Sequence, residues 1–169
     1  GRLVLRALLE NYKDKIQVVA INDLGSIEAN AHLVKYDSTH GTLPYEVETS
    51  KDGFKILNQN IKVFAERDPA NLPWGTVGVD VVLECTGLFI DKASDEKHIK
   101  AGAKKVIISA PAKEVDFTVV QGVNSSELKK EHNVISNGSC TTNCLAPVAM
   151  VLEKNFGIEY GYMTTIHSY

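Results

Sequence analysis

The run Ser139-Cys140-Thr141-Thr142-Asn143-Cys144 follows a strand-like segment and opens a helix-like one. A cysteine at a helix N-terminus faces the positive end of the helix dipole and backbone N–H groups that have no intrahelical acceptor. Both favour thiolate over thiol. Ser139, Thr141 and Thr142 set hydroxyls beside those N–H groups, a good setting for a phosphate or a developing oxyanion. A polar helix cap in which Cys140 merely packs uses the same residue types, and the local pattern leaves both readings open. Cys144 follows after three intervening residues, not the two of zinc knuckles or thioredoxin motifs, and no second ligand pair accompanies it. It is expected to be a small buried side chain, Cys85 is expected to be structural, and no metal site is expected.

Asp23 ends the apolar run Val18-Val19-Ala20-Ile21-Asn22. In a dinucleotide-binding unit the acid at this place accepts hydrogen bonds from ribose hydroxyls, although an Asp after a strand is more often a turn residue. Gly1 stands upstream at a helix start, where the last glycine of a phosphate-binding loop would sit. Of the five histidines, His32, His40, His98 and His132 fall on helices or loops with no partner in sight, and surface or capping roles are expected for them. His167 differs, because it ends a strand-like segment beginning just after the Cys140 helix. A crossover can return it toward that helix's N-terminus. Spacing makes Cys140 and His167 compatible with a catalytic pair and leaves the decision to geometry.

The elements that must position these residues alternate between short apolar strands and amphipathic helices, the pattern of a parallel sheet wrapped by crossover helices. Helices are expected over 1–12, 26–34, 92–101, 125–130 and 140–155, and strands over 16–22, 79–84, 105–109, 116–120, 133–136 and 158–165. Residues 45–64 read instead as antiparallel excursions, with turns at Asp52-Gly53 and at Asn58-Gln59-Asn60. The chain opens inside a helix with no start methionine and stops at a strand-like segment, so both ends are expected to be cuts.

The 169 residues carry 18 Lys plus Arg against 21 Asp plus Glu, interspersed, which gives no electrostatic footprint for nucleic acid or an anionic membrane. No apolar run is long enough to span a bilayer. Three cysteines without secreted-scaffold spacing fit a reducing compartment, and a cytoplasmic location is expected.

With these residues assembled, the chain resembles the phosphorylating glyceraldehyde-3-phosphate dehydrogenases. The resemblance is carried by Val19-Ala20-Ile21-Asn22-Asp23-Leu24, Lys35-Tyr36-Asp37-Ser38-Thr39-His40-Gly41, Glu66-Arg67-Asp68-Pro69, Glu84-Cys85-Thr86-Gly87, residues 106–111, residues 136–147 and residues 163–167, in the family's order. It implies an α/β fold: a doubly wound (Rossmann) NAD-binding domain over 1–139 that lacks its first strand, then the start of an α+β catalytic domain over 140–169. By position, Cys140 matches the nucleophile and His167 the catalytic histidine. Gly1 and Asp23 match the pyrophosphate loop and the adenosine-ribose acid, while Arg67, Thr86, Gly87 and Ser109 match positions lining the adenine and nicotinamide-ribose region. Ser139 and Thr141 match hydroxyls of the inorganic phosphate site. The implied cofactor is NAD, the implied partners are a small-molecule aldehyde and inorganic phosphate, and the implied full-length assembly is a homotetramer. A dehydrogenase for erythrose 4-phosphate and a non-catalytic nucleotide-binding or interaction protein are the alternatives. Retention of both Cys140 and His167 speaks against the second. Gly138 stands where many relatives carry alanine, a change expected to be neutral.

Overall fold

The computed structural model describes residues 1–167, in two compact units. One unit holds Gly1–Val82 with Lys97–Lys104, and the other holds Leu83–Glu96 and the chain from Lys105 onward.

In the first unit, α1 (Arg2–Asn11) buries Leu5 and Leu9, one helical turn apart, against a core that includes Ala31, Val34, Leu43, Phe54, Ile56 and Ile61. Each large apolar side chain so buried contributes roughly 1.5–3 kcal/mol. β1 (Ala20–Asn22) follows, then α2 (Ile27–Lys35), which starts where the Ser26 hydroxyl accepts the Ala29 N–H at 3.1 Å. Ala31 and Val34 put α2 on the same core. The short hairpin of β2 (Tyr36–Asp37) and β3 (Gly41–Thr42) is tied to α1 by the buried Arg6, whose guanidinium donates to the carbonyls of Gly41 (2.9 Å) and Val34 (3.3 Å). β4 (Val47–Ser50), β5 (Gly53–Ile56) and β6 (Gln59–Phe64) form an antiparallel meander, and β6 then pairs parallel with β1, giving the order β1-β6-β5-β4. Period-two alternation decides the facing: Phe54, Ile56 and Ile61 point inward while Lys55 and Lys62 stay exposed. Gly53 is required at the β4–β5 turn, since a Cβ there would lie 2.0 Å from the Ile61 carbonyl oxygen.

Further along, α3 (Trp74–Val77) precedes β7 (Val81–Glu84) and α4 (Lys92–Lys100), and the division between units runs through both of these last elements. Trp74 is buried, and its indole N–H donates to His98 Nδ1 at 2.9 Å. In the second unit, β8 (Lys105–Ile108), β9 (Phe117–Thr118) and β10 (Val134–Ser136) run parallel, and the sheet order is β7-β8-β10-β9. Val106, Ile108, Val134 and Ile135 are buried. The Lys92 ammonium meets the Asp116 carboxylate at 2.6 Å, and the other oxygen of Asp116 accepts the N–H groups of Asn133 and Val134. The long helix α5 (Cys140–Phe156) follows β10 after a three-residue turn. Parallel pairing of β1 with β6 and of β8, β10 and β9, with α2 and α4 lying between strands in the chain, makes this a doubly wound α/β arrangement of the Rossmann kind. No helix among the described residues is long and apolar enough to cross a membrane.

Several expectations are corrected. The first strand occupies three residues, not the whole of 16–22, because the N–H groups of Lys15 and Ile16 close a turn on the Tyr12 carbonyl. The segment at 116–120 is strand only at Phe117–Thr118, since Asp116 spends its side chain on β10 and the Val120 N–H bonds the Asn124 side chain. The helix at 125–130 is a single 3-10 turn, Ser125–Glu127. Residues 158–165 form no strand: they are exposed, and no strand among the described residues offers them a ladder. His98 is buried rather than superficial, because the Trp74 indole N–H needs an acceptor. His132 stacks on Phe117 at 5.0 Å and accepts the Lys129 N–H, so it too has partners.

Candidate functional site

In parallel α/β sheets, ligands gather at the carboxyl ends of strands. In the first unit, β1 and β6 end side by side, with Asn22 opposite Phe64. The Asn22 side chain locks the two ends by donating to the Glu66 carbonyl and accepting the Glu66 N–H, both at 2.9 Å. Asp23 and Arg67 each follow one of these strand ends, and both are exposed. Asp23 does serve as a turn residue, with Oδ1 accepting the N–H of Gly25 at 2.8 Å and the amide of Asn30 at 3.3 Å. Its Oδ2 makes no hydrogen bond among the described residues, so the turn leaves one carboxylate oxygen for a ligand hydroxyl. Gly1 caps α1 without a side-chain bond, leaving the N–H groups of the first turn uncapped. A free carboxylate oxygen at a parallel strand end and an uncapped helix start fit the ribose and pyrophosphate of a dinucleotide.

Arg2, in the first turn of α1, lies 3.5 Å from Asp37. Hydrogen bonds from the backbone N–H groups of His40 and Thr39, with the nearby His40 and Arg2 charges, hold the Asp37 carboxyl below its usual range despite its burial. This contact draws the Asp37 loop to the helix start.

In the second unit, Thr86 and Gly87 follow β7, Ser109 follows β8, and the turn 137–139 follows β10. The Thr86 N–H donates to Glu84 Oε1 at 2.6 Å, and the Thr86 hydroxyl accepts the Leu88 N–H at 3.1 Å. Between those contacts, Gly87 adopts φ 72° in open space, a conformation that favours glycine. The Ser109 N–H donates to the Glu84 carbonyl at 2.9 Å, which keeps the ends of β7 and β8 together.

The buried hydroxyl of Ser136 connects two loops, donating to the Ala110 carbonyl at 2.7 Å and accepting the Gly138 N–H at 3.0 Å. Gly138 is buried with φ 67°, so an alanine there would have room but would be strained by roughly 1–2 kcal/mol. An alanine at this position is therefore not conformationally neutral. Ser139 is the N-cap of α5: its hydroxyl accepts the Thr142 N–H at 2.9 Å and meets the Thr142 hydroxyl at 2.8 Å. Cys140 is the first helical residue and is exposed. Its own N–H and that of Thr141 make no hydrogen bond among the described residues. His167 is brought to this helix start. Its Nε2 lies 3.0 Å from the Thr165 hydroxyl and 3.4 Å from the Thr141 hydroxyl, and no hydrogen bond joins it to the Cys140 sulfur.

Cys144 is exposed, contrary to expectation, because α5 buries none of its residues; Cys85 is half-buried at the end of β7. Asn22, Ser136 and Asn143 escaped the sequence reading. All three lie inside the motifs that carry the resemblance, and the signal for each is a polar side chain next to a strand end or helix start.

The model of the glyceraldehyde 3-phosphate dehydrogenase NAD-binding domain matches residues 1–92, and that of the same enzyme's C-terminal domain matches residues 139–169. Over its whole length the chain is 56% identical to a glyceraldehyde-3-phosphate dehydrogenase of Pseudomonas aeruginosa, covering 51% of that protein. It is 55% identical to those of Xanthobacter flavus and Geobacillus stearothermophilus, covering 50% of each. The chain thus spans about half the length of the curated relatives it matches. With more than half of its residues matched by the NAD-binding model, and identity at this level from end to end, the chain belongs to the glyceraldehyde-3-phosphate dehydrogenase family.

Proposed function

We propose that the protein carrying this chain is an NAD-dependent dehydrogenase that oxidises D-glyceraldehyde 3-phosphate and phosphorylates it to 1,3-bisphosphoglycerate. The observation that carries the reading is an exposed cysteine opening α5, beside unpaired N–H groups, in a chain of this family. In this reading, residues 1–139 form the NAD-binding domain and residues 140–169 begin the catalytic one. The Cys140 sulfur adds to the aldehyde carbon and forms a hemithioacetal. Bound NAD supplies the two-electron acceptor for the hydride that leaves that carbon. His167 takes the hydroxyl proton as the hydride departs, leaving a thioester on Cys140. A phosphate oxygen, held by the Ser139 and Thr141 hydroxyls, attacks the thioester carbonyl; the C–S bond breaks, the acyl phosphate leaves, and the sulfur anion is restored. Gly1 and Asp23 hold the pyrophosphate and adenosine ribose, with Arg67 at the adenine and Thr86, Gly87 and Ser109 along the nicotinamide ribose. The full-length protein is a cytoplasmic homotetramer in this reading.

The test is NADH formation by the full-length protein with glyceraldehyde 3-phosphate or erythrose 4-phosphate, with and without inorganic phosphate. Turnover that depends on phosphate and is fastest with the three-carbon aldehyde is expected. Faster turnover of erythrose 4-phosphate, or a rate indifferent to phosphate, contradicts it.

A further inference from the structure

Asn143 lies one turn into α5, and its amide reaches back out of the helix. We propose that Asn143 is a positioning residue for Cys140, its amide holding the strand-to-helix turn in the shape that presents the thiol; this rests on Cys140 being the nucleophile. The nitrogen Nδ2 has two hydrogens to donate. It lies 2.7 Å from the Asn137 carbonyl oxygen and 2.9 Å from the Ser139 carbonyl oxygen, so both can be used. Those carbonyls stand on either side of Gly138, the left-handed residue of the turn. Pinning both sides of the one flexible residue fixes the direction in which the chain enters α5.

A bland alternative is that Asn143 only back-bonds along its own helix, as short polar side chains commonly do. That accounts for the Ser139 contact, four residues back. It does not account for the Asn137 contact, which lies outside the helix and is the shorter of the two. From the other side, the Ser136 hydroxyl holds the Gly138 N–H, so the turn is clamped at three successive residues before Cys140. Ser139 in turn occupies the Thr142 N–H with its hydroxyl and the Asn143 N–H with its carbonyl. The N–H groups of Cys140 and Thr141 remain outside these bonds, beside the sulfur.

The test uses the full-length protein with Asn143→Ala, Asn143→Ser and Asn143→Asp, each checked by thermal melting and NAD titration. Asn143→Ala is expected to lower kcat by about 10- to 100-fold, with KM for the aldehyde and NAD affinity nearly unchanged, since a misaimed nucleophile weakens the reacting geometry rather than binding. It also slows iodoacetamide alkylation of Cys140. Asn143→Ser, with one hydrogen to donate, falls between wild type and Ala. Asn143→Asp sets carboxylate oxygens against two carbonyl oxygens and a negative charge near the sulfur, so its alkylation-against-pH curve moves to higher pH than that of Ala. A lowered melting temperature with wild-type kcat and wild-type alkylation curves in the folded variants would overturn the proposal. If Asn143→Asp fails to fold, equal alkylation rates for wild type, Ser and Ala overturn it instead. Alkylation needs no aldehyde. An inactive wild-type protein that still shows this order of alkylation rates would therefore refute the proposed activity while leaving the positioning role standing.

Discussion

Cys140 and Cys144 are both exposed on the same helix, so access alone does not distinguish them. What differs is the backbone around each. Cys140 sits at the first helical position beside N–H groups with no acceptor, whereas Cys144 lies past the first turn, where N–H groups are consumed by the i→i−4 ladder. In the full-length protein, Cys140→Ser is expected to abolish NADH formation, because an alcohol neither ionises comparably nor forms a thioester, while Cys144→Ser should keep most of the activity. Mass spectrometry after brief iodoacetamide treatment locates the modified residue. Labelling of Cys85 or Cys144 before Cys140 would refute the assignment.

Among the elements, one tie between α4 and the parallel strands runs through a single carboxylate. Burial by itself would raise the Asp116 carboxyl, but the Lys92 ammonium and the N–H groups of Val134 and Asn133 outweigh it and hold it down at about 2, against an ordinary 3.8. The side chain is 18% exposed, so solvent screens the contact only in part. A carboxylate depressed in the folded state stabilises the fold above its unfolded value and loses that contribution as pH falls through the folded one. The difference corresponds to on the order of 2 kcal/mol, present in full above pH ~4 and gone by pH ~2. Asp116→Asn should lower the unfolding free energy from urea titration near neutral pH by an amount of this order and flatten its fall between these limits. Equal slopes for the two proteins in that acid window would show that the link is not the source of acid sensitivity.

For the molecule as a whole, the dominant feature is apolar surface without a partner. Leu145, Val148, Val151, Leu152 and Phe156 are exposed on α5, as are Tyr160, Tyr162 and Ile166 beyond it. Burying them would be favourable at roughly 25 cal/mol per Å², and soluble monomers rarely leave large apolar areas uncovered. Among the described residues, β1 and β7 also stand at the edges of their sheets, each with one side facing no strand. The 169-residue chain by itself is therefore expected to bind a hydrophobic dye and to elute at a size that grows with concentration. A single monomeric species that leaves the dye unbound, measured by light scattering at two concentrations, would contradict this.

Period and local chemistry were enough to read α1, α2, α4, α5 and most strands from the sequence, because each depends on nearest-neighbour hydrogen bonding and a one-sided apolar pattern. The Ser139-Cys140-Thr141 helix start was legible for the same reason, being a local cap. Three features were decided only by packing. β6 keeps its antiparallel pairing with β5 and on its other edge pairs parallel with the distant β1, whose end is tied to it by the contact of Asn22 with Glu66. His98 is buried because Trp74, 24 residues away, needs an acceptor for its indole N–H. The clamp on the Cys140 turn uses a hydroxyl from β10 and an amide from inside α5, whose aim depends on the left-handed φ of Gly138. Residue types and spacing specify which groups are able to bond; which of them meet depends on how separate segments of chain are brought together, and no local pattern encodes that.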